Sequence, residues 1–145
     1  MNSRSARNTA MDLLARRDHS HRQLRDKLLK RDFTADEIDD ALQGLRRDGL
    51  LDEERFAESY IHQRAAKGFG PLRIRHELKE QGIDGDLVAR LMEAYADGWV
   101  ESMQRQRQKR FGLQLPEDAR ERMKQARFLQ NRGFSPESVM RLFRR

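Results

Sequence analysis

The sequence contains no cysteine, which excludes disulfide bonds and any chemistry that depends on a thiolate. Only 37% of the residues are hydrophobic and 37% are charged, which excludes one large core. No apolar run approaches the roughly 18 residues that span a bilayer, and no stretch shows the alternation of a half-buried strand. The polar start MNSRSARNTAMD also lacks the apolar segment of a secretory signal. We therefore expect a cytoplasmic all-α protein that does not contact a membrane. Its thin core should be divided among small helical units.

Catalytic and metal-binding patterns are also missing. The histidines show no metal-ligand spacing; they are His19, His21, His62 and His76. The segment from Gly68 to Gly70 resembles the start of a phosphate-binding loop, but no strand precedes it and Pro71 removes an N–H. We expect neither an enzyme nor a bound metal or cofactor.

The central stretch from Gly49 to Ile83 predicts two helices joined by a stiff corner. Asp52 can cap a helix start, and the acids that follow it favour the positive end of the helix dipole. After the glycines, Pro71 suits a first helical position, and Ile74 and Leu78 form the next apolar stripe. We interpret this corner as a structural element rather than a functional one.

The pattern of the turns repeats along the chain. A leucine precedes an apolar turn residue by five positions at Leu28–Phe33, Leu78–Ile83 and Leu129–Phe134, with a period of 50 and then 51 residues. Helix starts recur in the same order: Ser20 and Thr34 open helices in the first third, and Pro116 with the acids after it marks one in the last. This period is typical of helical solenoids, whose units must stack to bury their apolar faces.

The wording of the central stretch, LLDEERFAESYI followed by KGFGPLRIRHEL, resembles the RecX family of RecA regulators. The resemblance extends to RDHSHRQLRDKL upstream and RFLQNRGF downstream, so it covers nearly the whole chain. It implies a bacterial protein of three tandem three-helix repeats, which we place at 1–49, 50–96 and 97–145 in an elongated, curved array. It also implies binding to RecA filaments on DNA, mostly with inhibition of the RecA recombinase. We expect a monomer with a weak direct contact to DNA.

Charge is unevenly distributed over these three segments. Their formal charges are +2, −2 and +6, which give the net +6 of the chain. The sequence pI is about 10.1. An excess at the C-terminal end favours an anionic partner such as nucleic acid, although a basic surface also serves solubility.

Two groups of basic residues are candidates for partner or nucleic-acid contact. The first group, around the central corner, comprises Arg64, Lys67, Arg73 and Arg75. The second, on one helix without an acid among them, comprises Arg105, Arg107, Lys109 and Arg110. For the first group the alternative is a solvated rim paired with Glu77 and Glu80, and for the second a solubility patch.

The sequence is compatible with three functions. The resemblance favours non-catalytic binding of the RecA filament, with effects on DNA recombination, DNA repair and the SOS response. The alternative is a helix-turn-helix-like DNA-binding regulator, which needs a recognition helix with base-reading side chains. The third is an adaptor solenoid that touches neither DNA nor a filament. Binding to RecA on single-stranded DNA, compared with binding to bare DNA, separates them.

Overall fold

The computed structural model describes residues 5–144, in which nine α-helices and one 3₁₀ helix occur and no strand is present. The first six are α1 Ala6–Arg16, α2 His21–Leu29, α3 Ala35–Arg47, α4 Glu53–Ala66, α5 Pro71–Glu80 and α6 Gly85–Met92. The last three are α7 Trp99–Phe111, α8 Ala119–Asn131 and α9 Pro136–Phe143. The 3₁₀ helix Glu93–Gly98 connects α6 to α7. This arrangement confirms the predicted all-α fold of three tandem three-helix units.

The helix starts are fixed by the residues that precede them. Ser20 and Thr34 each form a reciprocal capping box, and the Asp52 side chain accepts a hydrogen bond from the Arg55 N–H at 3.1 Å. The prediction of a helix start at Pro116 is wrong by three residues. Asp118 is the cap of α8, since its carboxylate accepts from the Glu121 N–H at 2.7 Å. The Asp118 carboxylate thus satisfies one of the free N–H groups at the start of α8.

Each unit has its own apolar core. The central leucines of the three turns, Leu28, Leu78 and Leu129, are all fully buried. Each belongs to a separate cluster of buried side chains, and Trp99 packs against both the second and the third. The accessible surface of 9897 Å² exceeds the roughly 7,800 Å² of a compact protein of this mass. The chain is therefore an elongated array with divided cores.

The same turn closes the second helix of every unit. The N–H of the apolar turn residue donates a hydrogen bond to the carbonyl oxygen of the buried leucine five positions earlier. The N–O distance is 3.4 Å in unit 1, 3.1 Å in unit 2 and 3.2 Å in unit 3. The residue before it has a positive φ, at Asp32 (68°), Gly82 (77°) and Gly133 (107°). This left-handed C-terminal turn satisfies carbonyl groups at the helix end. The predicted repeat is therefore confirmed at the level of individual hydrogen bonds.

Successive units dock through these turns. The Ser20 hydroxyl, at the start of α2, donates to the Gln81 side chain of the next unit's turn at 2.9 Å. At the equivalent place in unit 2, the Gly70 N–H donates to the Arg132 carbonyl at 2.7 Å and the Leu72 N–H to the Gly133 carbonyl at 3.0 Å. The start of each second helix thus contacts the turn of the following unit.

Replacing Ile74 or Leu78 by alanine is expected to lower the free energy of unfolding by about 2 to 5 kcal/mol, because the substitution empties space in a close-packed core. Both side chains are fully buried on α5. His76 lies on the same helix with 69% of its side chain exposed, so His76→Ala should be near neutral. Urea unfolding followed by circular dichroism measures both changes. A similar loss in all three variants would contradict the core assignment.

Candidate partner-binding surface

Three arginines surround one phenylalanine where unit 2 meets unit 3. The guanidinium carbons of Arg64, Arg132 and Arg73 lie 3.8, 4.1 and 4.5 Å from the centre of the Phe69 ring. Arginine stacks favourably on an aromatic face because the electron-rich face of the ring attracts the cation. With Glu77, these four residues form what we call the junction cluster. Phe69 allows three like charges to gather in a small, half-buried volume.

Glu77 provides one carboxylate for this group of three cations. Arg64 binds it in a bidentate pair, with Nε–Oε1 and Nη2–Oε2 distances of 3.0 and 2.8 Å, and Arg73 approaches it at 3.5 Å. Burial alone would raise the pKa of Glu77, but hydrogen bonds from Arg64 and Tyr60 and the nearby arginine charges lower it overall. The carboxylate is therefore ionised at neutral pH. The junction cluster still has two positive charges more than negative ones.

Arg132 is a member of this cluster that the sequence analysis did not single out. Its guanidinium donates to the carbonyl oxygens of Lys67 and Gly68 in the corner of unit 2, while its own carbonyl accepts from Gly70. Burial lowers its pKa, and the charges of Arg73 and Arg64 lower it further. The segment RFLQNRGF contains Arg132, but Gly68 and Lys67 lie 64 and 65 positions earlier in the chain, so no local pattern predicts the contact.

The candidates around the corner differ in their surroundings. Arg64 and Arg73 have the ion pair with Glu77 that the sequence offered as an alternative, and Arg73 also donates to the Asn131 carbonyl at 3.2 Å. Lys67 is exposed at the end of α4. Arg75 is exposed two positions beyond Arg73 and lines a shallow cavity beside α6. Two positions correspond to about 200° around a helix, so Arg75 lies apart from the junction cluster.

The basic stretch on α7 divides into exposed and buried residues. Arg105 and Lys109 are exposed, and Arg110 is exposed with its guanidinium 5.8 Å from the centre of the Phe128 ring.

Arg107 is only 2% exposed and donates to the carbonyls of Leu113 and Gln114 and to the Gln125 side chain. The structure corrects the sequence prediction at Arg107, which stabilises the α7–α8 connection from inside. Its charge is not presented on the surface.

The two groups of basic residues meet at the junction. The side chain of Gln106 lies directly against Gly68, so closely that a Cβ at Gly68 would be 2.1 Å from its Nε2. Arg110 follows Gln106 by one helical turn on α7, and Phe128 precedes Arg132 by one turn on α8. We call the resulting surface the basic band; it comprises Arg64, Lys67, Arg73, Arg105, Lys109, Arg110 and Arg132. It runs from the corner of unit 2 onto unit 3.

Other features of the chain offer less to a partner. His19 is buried, and burial lowers its pKa, so the neutral ring is favoured; its Nδ1 lies 2.9 Å from the Arg17 carbonyl and its Nε2 2.8 Å from the Lys27 amine. Within residues 5–144, no group of three or more potential ligands lies close enough to hold a metal ion. Over the same range, no helix has the length and apolarity needed to cross a membrane.

Tandem three-helix units that dock through equivalent turns define a helical repeat protein with a basic face. Family models agree with this class: the first, second and third three-helix domains of RecX match residues 6–45, 52–92 and 100–143. Together these matches span most of the chain. The protein belongs to the RecX family.

Named relatives support this assignment. The chain is 44% identical over 144 residues to the regulatory protein RecX of Ectopseudomonas mendocina, covering 99% of this chain and 95% of the relative. It is 39% identical over 137 residues to that of Halorhodospira halophila, covering 94% and 85%. The crystal structure of RecX from Lactobacillus salivarius superposes with a TM-score of 0.77 at 22% identity, covering 95% of this chain and 94% of that one. A second RecX crystal structure has a TM-score of 0.83 at 23% identity, with coverages of 95% and 70%.

Proposed function

We propose that this protein binds RecA nucleoprotein filaments on DNA and restrains the recombinase, ATPase and coprotease activities of RecA without catalysis of its own. Such a role belongs to DNA repair and the SOS response in the bacterial cytoplasm. Membership of the RecX family, whose relatives are named regulatory proteins, supports a regulatory role. The partner would be RecA assembled on DNA, and this protein would act as a monomer with a weak contact of its own to DNA.

The basic band is the observation that carries the proposal. Of its seven cations, Arg64 and Arg73 share the carboxylate of Glu77, and the other five form no ion pair within residues 5–144, so the surface has an excess of positive charge. A filament on DNA offers both phosphate and protein carboxylates, and either would be attracted to this surface. Because the band spans two units, a ligand that contacts all of it must itself be extended. A filament fits that requirement better than a small anion does.

The alternative of a sequence-specific DNA-binding regulator has less support. A helix-turn-helix protein places its recognition helix in the major groove, between two rows of phosphates. In unit 1 the third helix, α3, exposes the acids Asp36, Glu37 and Asp40. These carboxylates would repel the DNA backbone. The residues of the basic band lie instead on the corner of unit 2 and on α7, the first helix of its unit.

Reversing the charge of three exposed residues of the basic band tests the proposal. In a chain with Arg105→Glu, Lys109→Glu and Arg110→Glu, affinity for RecA filaments on single-stranded DNA should fall at least about tenfold at low salt, and the salt dependence should flatten. The side chains are solvent-exposed, so circular dichroism should be unchanged. Co-sedimentation with the filament over a range of salt concentrations measures both effects.

A matched control separates the band from overall charge. The exposed residues Arg16, Arg17 and Lys30 of unit 1 give the same change in net charge when all three are replaced by glutamate. This second variant should lose much less affinity. Equal losses in the two variants would mean that only net charge matters. If the variant with the three α7 substitutions binds the filament as well as the parent chain does, the basic stretch on α7 serves solubility only.

A further inference from the structure

Unit 3 contains an open groove that the basic band does not include. The groove lies between α7, the connection 112–118 and α9, and has a volume of about 540 Å³. Its apolar lining comprises Val100, Met103, Leu113, Leu115 and Leu142. The charged residues that line it are all arginines, namely Arg107, Arg141 and Arg144. The groove thus opens an aliphatic floor and the cations of Arg141 and Arg144 to solvent, while Arg107 is buried.

Two of the five apolar residues that line the groove are unusually exposed. Leu113 is 78% exposed and Val100 is 56% exposed, which is a high cost in water for large aliphatic side chains. The backbone that presents Leu113 is nevertheless fixed, because Arg107 donates to the carbonyls of Leu113 and Gln114 at 3.1 and 3.3 Å. A ligand would meet a preformed surface, and little conformational entropy would be lost on binding.

The charge of the groove is also uncompensated. Burial lowers the pKa of Arg107, and no carboxylate charge opposes that effect. Its Nε–H is buried without an acceptor in the part of the chain that the structure describes. A buried cation without a counter-ion is unfavourable, and a carboxylate brought close to it would be attracted. Arg141 and Arg144, both exposed on the C-terminal side, add to the same field.

We propose that this groove binds an acidic amphipathic helix of a protein partner. The apolar face of that helix would cover Leu113 and Val100, while its carboxylates would meet Arg141 and Arg144 above the buried charge of Arg107. Nucleic acid fits less well, because bases bind by stacking on aromatic side chains and the groove is lined by aliphatic ones. A second copy of this chain is disfavoured by the +6 charge of residues 97–145.

The proposal goes beyond the function proposed above, since the helix need not belong to RecA. The probe is a labelled synthetic peptide of about 14 residues, or four helical turns, with leucines on one face and glutamates on the other. Fluorescence anisotropy with the full chain should show saturable binding. Two comparison peptides, one with lysine for glutamate and one with serine for leucine, should not saturate. Saturable binding of either comparison peptide at the same affinity would overturn the proposal.

Variants locate the peptide on the chain. Leu113→Glu and Arg141→Glu should each weaken binding at least about tenfold, because they place negative charge in the path of an acidic ligand. The controls are Leu29→Glu, at a leucine 44% exposed on α2, and Arg16→Glu on α1, and neither should change the affinity. All four positions are exposed, so the fold should be retained, and circular dichroism checks this. Equal affinity of the parent, Leu113→Glu and Arg141→Glu chains would place the peptide elsewhere and refute the proposal.

Nucleic acid and RecA are tested as alternatives in the same experiment. Displacement of the peptide by a mixed-sequence single-stranded oligonucleotide whose own binding is abolished by Leu113→Glu would assign the groove to nucleic acid and overturn the proposal. Filament co-sedimentation of each variant is followed in parallel. Peptide binding without filament binding in the parent chain would count against the proposed RecA function and leave the groove proposal standing.

Discussion

Replacing Gly133 by alanine is expected to lower the free energy of unfolding of unit 3 by about 2 to 5 kcal/mol and to detach its turn from unit 2. Gly133 has φ of 107°, which is unfavourable for a residue with a side chain. In addition, a Cβ there would lie 2.4 Å from the Arg73 Cβ and 2.8 Å from the Arg73 backbone nitrogen. The two backbones would have to separate, and the hydrogen bonds from Gly70 and Leu72 would be lost.

The repeat supplies a matched control for this substitution. Gly82 occupies the equivalent position in unit 2 with a φ of 77°, and a Cβ there would meet nothing within 4 Å. In unit 1 the same position is occupied by Asp32, so the turn itself accepts a side chain. Gly82→Ala should therefore cost about 1 to 2 kcal/mol, the backbone effect alone. Equal costs in the two variants, measured by urea unfolding, would show that the junction adds nothing to stability.

The Gly133→Ala variant also tests whether docking of the units matters for function. Detachment of unit 3 separates Arg132 from Phe69 and divides the basic band into two parts. If the band acts as one surface, filament affinity should fall while the charges themselves are unchanged. Co-sedimentation at a temperature where the variant stays helical measures this loss.

A chain that ends at Trp99 is expected to bind RecA filaments at least about a hundredfold more weakly than the full chain, a loss larger than the removed area suggests. The full array joins three units, each about 20 Å across if its helices have about 13 residues. It is long enough to contact neighbouring protomers of a filament. Contacts made by separate units then reinforce one another through their effective concentration.

The choice of Trp99 as the last residue follows from the core. Its ring stacks on Tyr95 with 5.9 Å between centroids and packs against the apolar cluster of unit 2. The truncated chain therefore keeps the core of its second unit. Titration of its effect on the RecA ATPase with single-stranded DNA measures the loss, and circular dichroism verifies helicity.

A deletion of similar size at the other end is the control. A chain of residues 50–145 lacks unit 1 but keeps the whole basic band, so it should retain more inhibition than the chain that ends at Trp99. If the two deletions behave alike, the number of units matters and the band does not. If the chain that ends at Trp99 inhibits RecA as strongly as the full chain does, simultaneous contact of several units with neighbouring protomers is contradicted. Equal affinity of the full chain for free RecA and for filament would contradict it as well.

The sequence by itself determined the local structure of this protein. Capping side chains such as Ser20 and Thr34 and the buried leucines at a period of 50 and 51 residues act over a few positions or one helical face, so they are readable in order. A proline followed by acids resembles a first turn, so the sequence predicts a helix start at Pro116, whereas Asp118 makes the capping hydrogen bond.

Only the tertiary structure decided which cations are free. Arg107 has the same sequence surroundings as Arg105 and Lys109, yet it is buried because its face of α7 turns toward the 112–118 connection and Gln125. Arg132 belongs to the cluster because the turn of unit 3 docks on the corner of unit 2, a contact between residues 64 positions apart. Helical periodicity fixes the faces within a helix, but docking between units depends on backbone hydrogen bonds and on the missing side chains of Gly70 and Gly133. No sequence pattern within one helix or turn predicts these contacts between units.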